Sequence, residues 1–171
     1  MTAKIVFVGL SNAGKTTLLN RLKGEADLET TATMGMNAEK MKIGDSFFLA
    51  CDLGGQIAFA KSVWEPYVRT SDGIIFVFDS ADPNCVKEAG AWLDKVCEWT
   101  KKEAIFMFIA NKKDLPESKE PKEIIELLNL SKIMAERPHT FMIYYISALT
   151  GDGVDEAWGW FTKKMLELHG K

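Results

Sequence analysis

The residues best suited to chemistry in this chain are Gly9–Thr16, with the sequence Gly-Leu-Ser-Asn-Ala-Gly-Lys-Thr. Their spacing fits the pattern G-x-x-x-x-G-K-[ST], in which glycines let successive backbone N–H groups converge on a chain of phosphates. An apolar run, Ile5–Val8, precedes the motif, and a helical pattern over Lys15–Lys23 follows it, so the helix N-terminus adds partial positive charge. We therefore predict a nucleotide-binding loop, with Lys15 on the β- and γ-phosphates as a catalytic residue and the Thr16 hydroxyl on Mg²⁺. The predicted contacts of the loop are Asn12, Ala13, Gly14, Lys15, Thr16 and Thr17.

Asp52–Gln56, with the sequence Asp-Leu-Gly-Gly-Gln, is a second candidate segment. Asp52 ends an apolar strand pattern, where its carboxylate can hold Mg²⁺ through a water molecule. Gly54 and Gly55 let the backbone approach a γ-phosphate, and Gln56 can orient the attacking water as a catalytic residue. An ordinary glycine turn would have a similar composition and is the alternative interpretation of this pentapeptide.

The tetrapeptide Asn111–Asp114 distinguishes the base. The Asp114 carboxylate can accept hydrogen bonds from guanine N1–H and the 2-amino group, whereas adenine offers neither donor and would leave the carboxylate unpaired. Lys112 would lie along the base with its aliphatic stem, and Asn111 would connect this loop to the phosphate loop. A charged loop after a strand is common, but next to a phosphate-binding loop it favours a guanine site.

Two further segments give weaker signals. The residues Ser147, Ala148 and Leu149 follow the last predicted strand, and a backbone N–H there can contact guanine O6. A loop of small residues leading into a helix would look the same. Thr33 lies among several threonines and is predicted to bind Mg²⁺ when a γ-phosphate is present. Gly35 supports that choice, because a backbone N–H contact to the γ-phosphate needs a residue without a side chain.

Apolar runs alternate with helical patterns along the chain, which predicts a single α/β domain over residues 1–171. We expect a six-stranded, mostly parallel sheet with helices on both faces and one antiparallel edge strand, contributed by a hairpin at Gly44-Asp45. Ligands of such sheets bind beyond the C-terminal ends of the strands, where all the candidate segments lie. The predicted strands are Ile5–Val8, Met36–Ile43, Ser46–Asp52, Gly73–Phe78, Ala104–Ile109 and Phe141–Ile146. The predicted helices are Lys15–Lys23, Phe59–Arg69 (interrupted near Pro66), Asn84–Lys101, Pro121–Leu130 and Val154–Leu168.

Composition excludes several classes of function. The net charge of −3 disfavours nonspecific binding of nucleic acid, and no segment approaches the ~20 apolar residues of a membrane span. Three cysteines without metal-ligand spacing suit a reducing compartment, and the lone His139 and His169 are expected on the surface. We therefore expect a cytoplasmic protein without a signal peptide or lipidation motif, with any membrane contact made through partners.

With these motifs the chain resembles small GTPases of the Arf/Sar family in the Ras superfamily. The resemblance runs through Gly9–Leu19, through Thr33–Asn37 as T-x-G-x-N, through Asp52–Gln56 as D-x-G-G-Q, and through Trp64–Tyr67 followed by Asp72–Ser80. It implies the small-GTPase fold of P-loop NTPases, Mg²⁺-dependent binding of GTP and GDP, slow GTP hydrolysis, and action as a molecular switch in membrane or vesicle traffic. It also implies an exchange factor, an activating protein and effectors that bind switch I (Thr33–Asn37) and switch II (Gly54–Tyr67).

Several residues depart from the family pattern. Ser11 stands where an aspartate is common, and Met36 and Cys51 stand where aromatic effector contacts are common. Only Met1-Thr2-Ala3-Lys4 precede the first predicted strand, so we expect no intrinsic amphipathic membrane anchor. These features suit a deep-branching or archaeal member of the family.

The positions of the arginines bear on the rate of hydrolysis. The three arginines, Arg21, Arg69 and Arg137, all lie outside the loop Gly24–Thr33 that would carry an arginine finger, which predicts slow intrinsic hydrolysis.

Two alternative functions remain open from the sequence. One alternative is a docking subunit that stays bound to GTP. The other is a P-loop kinase or ATPase, which the tetrapeptide Asn111–Asp114 disfavours.

Overall fold

A computed structural model of the chain describes residues 2–10, 12–24, 28–33, 36–43, 46–53 and 57–169. Its strands form one seven-stranded sheet in the order β2-β3-β4-β1-β5-β6-β7. The central strands are nearly continuous apolar runs, as expected of a sheet covered on both faces. The strands are β1 (Ala3–Gly9), β2 (Leu28–Thr33), β3 (Met36–Ile43), β4 (Ser46–Asp52), β5 (Gly73–Asp79), β6 (Ile105–Asn111) and β7 (Phe141–Tyr145).

The strand directions confirm the predicted mostly parallel α/β sheet. β1 pairs in parallel with β4 and β5, and β5, β6 and β7 continue the parallel array. The antiparallel strand is β3, which pairs with β4 as the predicted hairpin partner.

The sheet contains one strand more than the predicted six, and β3 does not form its edge. Leu28–Thr33, expected to be a loop, pairs antiparallel with β3 from Leu28 opposite Met41 to Thr33 opposite Met36. The segment contains three threonines, whose branched Cβ atoms favour extended backbone. The sequence pattern indicates these threonines only as candidate Mg²⁺ ligands, whereas the structure shows that they also form a strand.

The helices largely follow the predicted pattern. Pro66 lies inside a continuous α2 instead of interrupting it, and the Thr70 hydroxyl donates to the Pro66 carbonyl at 3.1 Å. The predicted helix Pro121–Leu130 ends earlier, at Leu127, and Asn129 just beyond it has a left-handed backbone (φ 51°). A second short helix, Ser131–Glu136, follows and was not predicted. The helices are α1 (Lys15–Lys23), α2 (Ile57–Thr70), α3 (Pro83–Trp99), α4 (Pro121–Leu127), α5 (Ser131–Glu136) and α6 (Val154–His169).

Two apolar layers fix the sheet between helices. On one face Trp64 of α2 packs edge-on against Phe76 of β5, with ring centroids 6.0 Å apart. On the other face Leu18 of α1 and Phe161 of α6 are buried against the sheet. This packing holds the C-terminal ends of β1, β4, β5, β6 and β7 at one edge. In the described ranges, no helix has the length and apolar character needed to cross a membrane.

Candidate nucleotide-binding site

The phosphate loop is the connection between β1 and α1. Asn12 and Gly14 adopt left-handed backbone conformations, with φ of 60° and 87°, and the Ala13 N–H donates to the Leu10 carbonyl at 3.2 Å. A Cβ atom on Gly14 would lie 2.2 Å from Nδ2 of Asn111. Glycine at position 14 is therefore required by both its backbone conformation and the close approach of Asn111.

The start of α1 lies beside the end of β4. The Lys15 ammonium donates to the carbonyl of Leu53, which directly follows β4. Asp52 is in register with Phe7 of β1, and Thr16 is exposed in the first turn of α1. The backbone of Asp52 and the residues Lys15 and Thr16 therefore lie at the same edge of the sheet, as the sequence predicted.

Asn111, at the end of β6, connects three segments through one buried amide that is 3% exposed. Its Nδ2 donates to the Ala13 carbonyl at 2.8 Å, and its Oδ1 accepts from the Ala148 N–H at 2.9 Å. The phosphate loop, β6 and the loop after β7 are thereby held in one arrangement.

We expect Asn111→Ala to destabilise the protein by about 2–3 kcal/mol, because it removes two buried hydrogen bonds and leaves the Ala148 N–H and Ala13 carbonyl without their partner. For a chain of this size that corresponds to a fall in Tm of about 5–10 °C, measurable by thermal unfolding. Asn84→Ala, at an exposed position of α3, is the matched control and should change Tm by less than about 2 °C. Equal Tm values for the two variants would contradict this role of Asn111.

Two side chains of the base-recognition segment Asn111–Asp114 are held by residues at the ends of neighbouring strands. Lys112 has a left-handed backbone (φ 71°), and its ammonium forms an ion pair with Asp79 at the end of β5, at 2.9 Å. Oδ1 of the exposed Asp114 carboxylate accepts a hydrogen bond from the buried Ser147 hydroxyl at 2.7 Å. The Lys112 stem and the Asp114 carboxylate thus have defined directions.

A cleft of about 220 Å³ joins the phosphate loop to the base-recognition segments. Its walls combine residues from α1, the end of β6 and the loop after β7, so motifs far apart in sequence form one site. The lining residues are Gly14, Thr17, Asn111, Lys112, Asp114, Leu115, Ala148 and Leu149.

Four residues at this site were not predicted to act there. Leu115 directly follows Asp114 and lines the cleft. Asp79 holds Lys112, and the Ser80 hydroxyl donates to the Asn111 carbonyl at 2.6 Å. Asp79 ends β5 and Ser80 follows it, at the edge where ligands bind, and this position is the signal that could have found them. Arg21, on α1, contacts the Ala148–Leu149 loop, and no local sequence pattern indicates that contact.

Some predicted residues are not covered by the structure. Ser11, Gly35, Gly54, Gly55 and Gln56 lie outside the described residues, and Thr33 and Asp52 are described by their backbone alone. Among the side chains that are described, no three of His, Cys, Asp or Glu cluster as a metal site.

The three cysteines are poor candidates for thiol chemistry. Burial and the hydrogen bond to Asp82 raise the pKa of Cys85 to about 11, and burial raises the pKa of Cys97 to about 12. Burial also raises the pKa of Cys51. Because the thiolate is the reactive form, these shifts oppose a nucleophilic role.

A strand, a phosphate loop and a helix, with polar base-recognition segments after parallel strands, define a P-loop nucleotide-binding protein. The model of the ADP-ribosylation factor family (Arf) matches residues 1–165, and the chain belongs to this family. It is similar to a solved structure of the Arl6 (BBS3) small GTPase from Trypanosoma brucei with the bound nucleotide analogue GppNp. The two chains are 30% identical, the match covers 98% of this chain and 99% of that chain, and the TM-score is 0.79. The protein is thus an Arf-family small GTPase that binds guanine nucleotide and hydrolyses GTP.

Proposed function

We propose that residues 1–171 form a single G domain that alternates between a GDP complex and a GTP complex. The nucleotide binds in the cleft between the phosphate loop and Asp114, and Mg²⁺ binds with it. The observation that carries this proposal is the Asn111 amide, which joins the phosphate loop to both base-recognition segments. A site with these three segments in fixed positions suits a phosphorylated guanine nucleoside.

Base recognition is assigned to the end of β6 and the loop after β7. Asp114 accepts from guanine N1–H and the 2-amino group, while Ser147 fixes the rotation of its carboxylate. The Lys112 stem lies along the base, and Asp79 keeps its ammonium away from the ring. An N–H from Ala148 or Leu149 binds O6.

Phosphate binding and metal binding are assigned to the edge where β1, β4 and α1 meet. Lys15 and the backbone N–H groups of Asn12, Gly14, Thr16 and Thr17 bind the phosphates, whereas the Ala13 N–H already donates to the Leu10 carbonyl. The donor set for Mg²⁺ is the Thr16 and Thr33 hydroxyls, with Asp52 acting through water. These hard oxygen ligands fit the ion, and Asp52 is in register with Phe7 beside the phosphate loop. When bound, Mg²⁺ neutralises charge on the β- and γ-phosphates.

Hydrolysis is assigned to Gln56, which orients the attacking water, with the Gly35 and Gly55 N–H groups at the γ-phosphate. No arginine lies in Gly24–Thr33, so the chain supplies no arginine finger there. We expect intrinsic turnover of about 10⁻⁴–10⁻³ s⁻¹, the range of Ras without its activator.

Regulation is assigned to switch I (Thr33–Asn37) and switch II (Gly54–Tyr67). Thr33 and Asn37 are both in β-ladder positions, and Asn37 is paired with Asp52, so the last residue of switch I lies beside the strand that precedes switch II in the sequence. An exchange factor, an activating protein and effectors would bind this continuous region. Membership in the Arf family supports a cytoplasmic switch in vesicle traffic that reaches membranes through such partners.

Displacement of a fluorescent GDP analogue tests base specificity and the metal together. GDP and GTP should displace the analogue at concentrations about 100-fold or more below ATP, because adenine cannot donate the two hydrogen bonds to Asp114. Chelation of Mg²⁺ with EDTA should accelerate release of the analogue, with MgCl₂ added in excess of EDTA as the control. Equal displacement by ATP and GTP would contradict the assigned site.

A further inference from the structure

Arg21 contacts the loop after β7, which lies 127 residues further along the chain. It lies near the end of α1, the helix that begins with the phosphate-binding Lys15. Its Nε donates to the Ala148 carbonyl at 2.9 Å, and its Nη2 donates to the Leu149 carbonyl at 2.8 Å. The planar guanidinium thus holds two successive carbonyls with fixed geometry.

The peptide groups on either side of this contact are held at both ends. In the group between residues 147 and 148, the Ser147 carbonyl accepts from the Gly151 N–H at 2.8 Å, and the Ala148 N–H donates to Asn111. In the group between residues 149 and 150, Arg21 holds the Leu149 carbonyl, and the Thr150 N–H donates to the Ser147 hydroxyl at 3.1 Å.

The peptide group between Ala148 and Leu149 is held at its carbonyl by Arg21. In a trans peptide the carbonyl and the N–H point in opposite directions, so the Leu149 N–H points away from the guanidinium. This N–H donates no hydrogen bond to any residue in the described part of the chain. Ala148 and Leu149 both line the cleft. The Ala148 N–H is already engaged by Asn111, which leaves the Leu149 N–H as the donor for a ligand.

The close approach of Gly151 independently supports a fixed position for the Arg21 guanidinium. Its backbone is left-handed (φ 90°), and a Cβ atom there would lie 2.8 Å from Nη1 of Arg21. The turn after Leu149 therefore has no side chain where the guanidinium lies.

We propose that Arg21 is a positioning residue for guanine specificity, which directs the Leu149 N–H toward guanine O6. The inference rests on the proposed guanine site and deepens it. Helix α1 would then contribute to recognition of both parts of the nucleotide. Lys15 at its start binds the phosphates, and Arg21 near its end positions the N–H that binds the base.

Dissociation constants of GDP and two analogues test this role in the wild type, Arg21→Ala and Arg21→Lys. In 6-thio-GDP a weakly accepting sulfur replaces O6, and both donors to Asp114 remain. IDP keeps O6 but lacks the 2-amino group. The wild type should bind GDP about fivefold more tightly than 6-thio-GDP, the contribution of about one neutral hydrogen bond. Arg21→Ala should reduce that ratio to about one and leave the ratio of GDP to IDP unchanged.

Two variants separate positioning from a general loss of structure. Arg21→Lys keeps the charge but lacks the rigid planar fork that fixes two carbonyls at once, so it should give an intermediate ratio of GDP to 6-thio-GDP. Arg69→Ala removes an arginine that pairs with Glu65 on α2 and should retain the wild-type ratio. If Arg21 had a merely structural role, its replacement would weaken the binding of GDP, 6-thio-GDP and IDP by the same factor.

The inference is overturned if Arg21→Ala retains the wild-type ratio of GDP to 6-thio-GDP, or if Arg21→Lys does so where the alanine variant fails to fold. A wild-type protein that does not bind GDP would instead overturn the proposed function and the inference with it. The wild-type measurement therefore distinguishes the two failures.

Discussion

Replacement of Asp114 by asparagine is expected to change the preferred base from guanine to xanthine. The carboxylate accepts from two guanine donors, whereas the asparagine NH₂ is a donor that xanthine, with a carbonyl at C2, can accept. The Ser147 hydroxyl donates to Oδ1 of Asp114 at 2.7 Å, so it would hold the amide oxygen and turn the NH₂ toward the base. GDP affinity should fall by about 100-fold or more, and XDP should become the preferred ligand.

Competition of GDP and XDP for the fluorescent analogue measures this change. Asp152→Asn is the matched control, because Asp152 lies in the neighbouring loop, is exposed, and pairs with Lys113 at 3.1 Å. An exposed ion pair of this kind contributes little, so the control should keep its preference for guanine. Undiminished GDP affinity in Asp114→Asn would refute the assignment of the base site.

Replacement of Gln56 by leucine is expected to leave nucleotide binding intact and to slow GTP hydrolysis by about tenfold to 100-fold. Gln56 is the only glutamine in the chain and follows the two glycines of switch II. Leucine has a similar volume but cannot hydrogen-bond to the attacking water, so the water loses its orientation. Single-turnover release of phosphate from bound GTP measures the rate.

Affinity for GTP and the melting temperature are the internal controls for Gln56→Leu, since both should match the wild type. A loss of affinity would assign Gln56 to binding as well as to catalysis. Turnover equal to that of the wild type would show that another residue positions the water.

Local patterns predicted most of the elements that carry the site. The phosphate loop and the segment Asn111–Asp114 each have their chemistry in consecutive residues, and their flanking apolar runs are long enough to indicate strands. Leu28–Thr33 was missed because its threonines become a strand only by pairing with β3. The break at Asn129 was missed because its left-handed backbone interrupts an otherwise helical pattern.

The supports of the site were less predictable than its ligands. Asp79 contacts Lys112, and Arg21 contacts Ala148, across large separations in sequence. These residues meet because the parallel strands end at the same edge of the sheet and helix α1 packs against one face of that sheet. A single sequence specifies this arrangement only through the complete fold, so an isolated arginine on a helix carries no local signal.

Single-turnover hydrolysis of γ-labelled GTP, with γ-labelled ATP in a parallel reaction, tests the central claim most directly. The account predicts release of phosphate from GTP with a rate constant of about 10⁻⁴–10⁻³ s⁻¹, dependent on Mg²⁺, and little release from ATP. Stable binding of GTP with no release of phosphate over a day would contradict it and favour a docking subunit that keeps its nucleotide. Equal turnover of ATP and GTP would contradict the guanine-specific site.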